Sequence, residues 1–119
     1  MKTLSIKFTA LLLVLTAAFA ASAIASAHAN VTETNVVGYI SDSSCGLKHM
    51  SGMGDDKNCT LVCVKGGGKF VLADREHKKV YKLDQAGQEK ARDFAGQKVK
   101  VTGTLTGKIL HVTAIEAAS

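Results

Sequence analysis

Polar and apolar residues alternate without a break from Lys98 to Leu105, with Val99, Val101, Gly103 and Leu105 on one side and lysines and threonines on the other. A period of two puts successive side chains on opposite faces, so this stretch predicts a half-buried strand. Thr106-Gly107 then turns the chain into a second β-rich run, Lys108 to Ile115. Near the other end, Val36-Val37-Gly38-Tyr39-Ile40 is β-branched and aromatic and stops at Ser41-Asp42-Ser43-Ser44, the signature of a first strand. Lys69 to Ala73 and Lys79 to Leu83 read as a hairpin around the charged turn Asp74-Arg75-Glu76-His77-Lys78.

Two stretches break this alternation. Asp55 or Asp56 can cap a short helix over Lys57 to Val64, which Gly66-Gly67-Gly68 stops. Asp84 can cap a second helix through Ala95, with Ala91, Phe94 and Ala95 as a narrow apolar stripe and Gly96 as its end. Asn30 to Asn35 is a loose polar lead-in, and Gly46 to Lys57 is loop. The order is strand, short helix, two strands, helix, two strands. A mainly β fold follows: a five-stranded, OB-like β-barrel with a short inserted helix after strand 1 and a helix between strands 3 and 4. A small α+β sandwich would use the same elements. Gly38 and Gly103 would suit the strand curvature that a small barrel demands.

Residues 1–29 have a different character. Lys2 and Lys7 precede an apolar run from Phe8 to Ile24, and Ala25-Ser26-Ala27 and Ala27-His28-Ala29 both offer a small-x-small exit. That is the layout of a cleavable secretory signal peptide, with residues 30–119 as the single domain that remains, periplasmic or secreted. No basic stop-transfer cluster follows and no cysteine lies near the exit, so no membrane anchor is expected after cleavage. Two of the 15 basic residues leave with the signal, so their excess over the 10 acids falls from +5 to +3. Such a balance does not call for nucleic acid as a partner. The partner would be a protein or small ligand of the cell envelope.

All three cysteines fall in the remaining domain. Cys45 and His49 stand four residues apart in the loop after the first strand, and Cys59 and Cys63 stand four apart on the predicted short helix. On a helix this spacing presents two side chains on one face. Met50 and Met53 add thioethers beside them. Cys45, His49, Cys59 and Cys63 together make a soft ligand set suited to zinc or copper. The competing reading is a disulfide staple, usual for a small exported domain with a thin core. Bridging Cys59 to Cys63 would strain one helical turn, whereas Cys45 could bridge to either and close a loop worth about 3 kcal/mol. A third reading is thiol redox chemistry at Cys59 and Cys63, although the usual Cys-x2-Cys pair is absent.

Little else suggests chemistry. His77 belongs to a charged turn and His111 to a strand face, Asp55-Asp56 are helix-capping residues before they are a cation site, and Gly66-Gly67-Gly68-Lys69 lacks the phosphate-loop spacing. With no nucleophile elbow and no acid–base pair, the domain reads as a non-enzymatic binding or interaction module. The segments Gly38 to Gly46, Cys59 to Gly67, Lys69 to Leu72 and Gly96 to Thr104 also resemble a group of small exported bacterial domains of unknown function with an OB-like shape. The resemblance implies export and fold, and no activity.

Overall fold

A computed structural model describes residues 31–48 and 55–119. The expected signal peptide and His49, Met50 and Met53 lie outside the described residues. The elements are β1 (Thr34–Asp42), α1 (Asp56–Lys65), β2 (Phe70–Asp74), β3 (Lys79–Leu83), α2 (Gln85–Ala91) with a 3₁₀ turn (Arg92–Phe94), β4 (Lys98–Thr106) and β5 (Ile109–Ala117). Among the described residues, no helix is long and apolar enough to cross a membrane.

The five strands form one mainly antiparallel sheet that closes on itself in the order β1-β2-β3-β5-β4, with β4 returning to β1. Both hairpins form where the alternation and turn residues place them. In β4, Val99, Val101 and Gly103 are buried while the residues between them reach outward. Gly107 makes the β4–β5 turn at φ +61°. The closing seam is short and parallel, pairing Lys82 with Ile109 and Leu83 with Leu110. At the β-bulge, Thr102 pairs with Ala114 and Gly103 with Val112, leaving Thr113 as the extra residue. Gly103 is needed there, because any Cβ would run into the carbonyl of His111. At Gly38 a Cβ would stand 2.7 Å from the carbonyl oxygen of Ala73, so both glycines mark close backbone approaches.

Ile40, Leu72, Val99, Val101 and Leu110 fill the interior. Leu61 and Val64 of α1 pack against this core, and α2 adds Ala91. Both capping aspartates act as expected: Asp55 accepts from the Asn58 N–H and Asp84 from the Gly87 N–H. The second helix differs from the sequence reading. It stops at Ala91 and tightens into the 3₁₀ turn, because Ala95 and Gly96 leave the helix to bridge β1: Gly96 N–H donates to the Ile40 carbonyl, and Ile40 N–H to that of Gln97.

The β2–β3 turn is set by Asp74, which is 5% exposed. It accepts from the His77 backbone N–H, and His77 Nδ1 lies 2.7 Å from its other oxygen. Burial pushes the Asp74 carboxyl up, but these contacts with His77 outweigh it and hold the group below its ordinary 3.8. The fold therefore favours the ionised form, and that stability is present above the ordinary carboxyl range and lost as pH falls through the lowered value. Asp74→Asn is expected to cost about 1 kcal/mol at neutral pH and to flatten the acid limb of the stability profile. Urea unfolding at pH 7 and at about pH 3 checks both, and a loss that stays constant with pH would contradict it.

Candidate metal centre

Four side chains from two elements and the turn between them meet beside the core. Asp42 closes β1, opposite Phe70 of β2, and is fully buried. Its Oδ1 accepts from the backbone N–H groups of Ser44 and Cys45, each at 2.9 Å, and Gly46 N–H donates to its carbonyl at 2.8 Å. This Asx-type turn wraps the chain around the carboxylate and fixes the position of Cys45. Cys59 and Cys63 come from α1, one buried and one half-buried. Ligand atoms of Asp42, Cys45, Cys59 and Cys63 all lie within 4.8 Å of one another.

Several contacts hold α1 in this place. Arg75, from the β2–β3 turn, pairs with Asp56 at 2.9 Å and stacks its guanidinium over the Tyr39 ring, 4.1 Å from the centroid. At the other end Gly66, Gly67 and Gly68 return their N–H groups to the carbonyls of Val62, Val64 and Cys63. Ser43 N–H donates to the Lys69 carbonyl, and the Ser43 hydroxyl oxygen accepts from Lys69 N–H, tying the β1 exit to the start of β2.

The geometry suits a tetrahedral ion. With Zn–S near 2.3 Å, the sulfur–sulfur edges of a zinc tetrahedron are about 3.8 Å. Cys45 Sγ and Cys59 Sγ lie 4.0 Å apart, a thiol contact and not a bond. Asp42 Oδ2 is the telling atom. It is buried and has no hydrogen-bond partner among the described residues. A buried carboxylate oxygen left without a donor is costly unless a cation faces it. Thr60, beside Cys59, also buries its hydroxyl without a partner among the described residues. Partial burial, then the negative charge of Asp42 and the neighbouring thiols of Cys45 and Cys59, push the Cys63 thiol up to about 11.

The structure brings together three of the four residues singled out from sequence, Cys45, Cys59 and Cys63. His49 falls outside the described residues, and the fourth member of the group is Asp42, which sequence reading treated as a strand terminator. The two histidines read as surface residues are exposed, His77 against Asp74 and His111 with Nδ1 3.7 Å from Asp84 Oδ2.

No curated protein and no solved structure matches the chain. Residues 62–118, from the second half of α1 through β5, match the family described as "Protein of unknown function (DUF5818)", an uncharacterised family, and the match takes in Cys63 but not Asp42, Cys45 or Cys59.

Proposed function

We propose that this chain is an exported, non-enzymatic binding module of OB-like form, stapled by a zinc ion held by Asp42, Cys45, Cys59 and Cys63. The observation that carries the reading is the buried Asp42 Oδ2, unpartnered among the described residues and in a carboxylate that lies within 4.8 Å of three cysteine sulfurs. Three thiolates favour a soft ion, and the carboxylate oxygen favours zinc over copper(I). Four protein ligands leave no open position for water or substrate, which is the pattern of structural zinc and not of catalytic zinc. The ion would join the end of β1 to α1, the role that a disulfide plays in other small domains. Thiol redox catalysis fits less well: it needs a stabilised thiolate, and Cys63 is pushed the other way. The order of strands and helices supports the OB-like reading.

Native mass spectrometry of the purified protein, prepared without chelator or reductant, tests this. One bound zinc is expected, and Asp42→Asn should weaken it by about 10- to 100-fold in competition with a chromophoric chelator. A metal-free mass about two hydrogens short would instead make the cluster a disulfide. If His49→Ala loses zinc while Asp42→Asn keeps it, the fourth ligand is the histidine.

A further inference from the structure

A second feature lies on the face formed by β2, β3, the start of α2 and the β4–β5 turn. There a groove of about 580 Å³ has Phe70, Val71, Val80 and Leu83 in its walls and Lys69, Lys82 and Lys108 around it. This volume falls within the range of small-molecule sites. The lysines come from three separate segments: the approach to β2, β3 near its end, and the β4–β5 turn. Lys82 N–H donates to the Lys108 carbonyl at 2.8 Å, which sets those two segments side by side.

The polar groups of the groove divide sharply. Gln88 is committed: its Oε1 accepts from Phe70 N–H, and its Nε2 donates to the carbonyls of Phe70 and Leu83. Asp84 is the single carboxylate in the lining, and its Oδ1 accepts from Gly87 and Val112 N–H while Oδ2 faces His111. Gln85 donates to Glu89. The three ammonium groups have no carboxylate within ion-pair distance among the described residues. An apolar trough edged by uncompensated positive charge complements a ligand with an apolar body and an anionic head. The one aromatic in the lining, Phe70, is 2% exposed and offers no stacking platform, which argues against a nucleic-acid strand.

From this complementarity we infer that the groove binds a free, small anionic amphiphile, such as a medium-chain carboxylate, with its head among Lys69, Lys82 and Lys108 and its chain over the half-buried Val80. Lys82 and Lys108 take no part in the cysteine cluster, so the inference stands or falls apart from the metal reading. The test is a fluorescence titration of the purified protein with anilinonaphthalene sulfonate, an apolar ring system carrying one negative charge, followed by displacement with decanoate. Saturable binding is expected, displaced by decanoate and not by the neutral alcohol of the same length. The double variant Lys82→Gln/Lys108→Gln should bind about tenfold more weakly while melting at the same temperature. In the unaltered protein, about 0.5 M salt should weaken binding as well, since the head-group contacts are exposed to solvent. Equal affinity in the lysine variant, indifference to salt, or equal displacement by the neutral alcohol would overturn the assignment.

Discussion

Zinc added to the metal-free protein is expected to raise its melting temperature by roughly 15–30 °C, and Asp42→Asn to remove about one third to two thirds of the rise. The magnitude follows from linkage: a ligand at a thousand times its dissociation constant stabilises the fold by about 4 kcal/mol, and each kcal/mol moves the midpoint of a domain this small by about 4–8 °C. The same variant should behave oppositely without metal. The amide oxygen of the substituted side chain can still accept from Ser44 and Cys45 N–H as Asp42 Oδ1 does, and the change takes an uncompensated charge out of a fully buried position. So metal-free Asp42→Asn should be at least as stable as the parent, and the order should reverse on adding zinc. A residue that merely shaped the turn would lower stability under both conditions, so parallel curves would refute the ligand role. The pH dependence has two signs. Without metal, the raised Cys63 value means that stability is lost as pH climbs from the ordinary thiol range, 9.0, towards about 11. With zinc present the thiols must give up their protons, so affinity rises with pH instead.

The second large effect is at Gly96. Its φ is +75°, and a Cβ there would stand 2.6 Å from Lys57 Cα and 2.7 Å from the Asp56 carbonyl carbon, both backbone atoms of the first turn of α1. Nothing flexible can move aside. Gly96→Ala should cost about 2–4 kcal/mol, from left-handed strain and overpacking together. It should also weaken zinc binding by about tenfold or more, because the turn it displaces is the one that leads into Cys59. Gly107→Ala is the control. That residue also has positive φ, +61°, but has nothing within 4 Å of a Cβ. It should cost about 1 kcal/mol and leave zinc affinity alone. Denaturant midpoints and chelator competition on the two variants separate backbone strain from displacement of α1. Equal zinc affinity in Gly96→Ala and the parent would show that the helix position does not govern the site.

Much of the fold was legible because its signals are local. The alternation at Lys98 to Leu105, the Thr106-Gly107 turn, and the capping aspartates Asp55 and Asp84 each depend on residues a few places away, and each element formed where those residues placed it. The end of α2 was not legible. Phe94 and Ala95 continue the apolar stripe, and only the bridge to Ile40 in β1 ends the helix early. Of the site, the cysteines were legible from residue type. Asp42 was not, since Ser41-Asp42-Ser43-Ser44 reads equally well as the solvated end of a strand. The signal present was the Asp-x2-Cys spacing, which allows the carboxylate to bond the cysteine N–H. What sequence could not supply was the burial, which arises only once α1 folds against β1 and Phe70 pairs across from Asp42.

The strand order also dictates a sequence of assembly. The hairpins β2–β3 and β4–β5 close over tight turns, but β1 must find partners in both, and its pairing of Thr34 with Gly103 spans most of the described chain. Loop closure over such a span is slow and comes late. The four candidate ligands, by contrast, all lie between residues 42 and 63. An ion captured there would join the exit of β1 to α1 before β4 was available. The metal would then act on the rate of folding as well as on its equilibrium, as a nucleus that holds the first strand ready for the last hairpin.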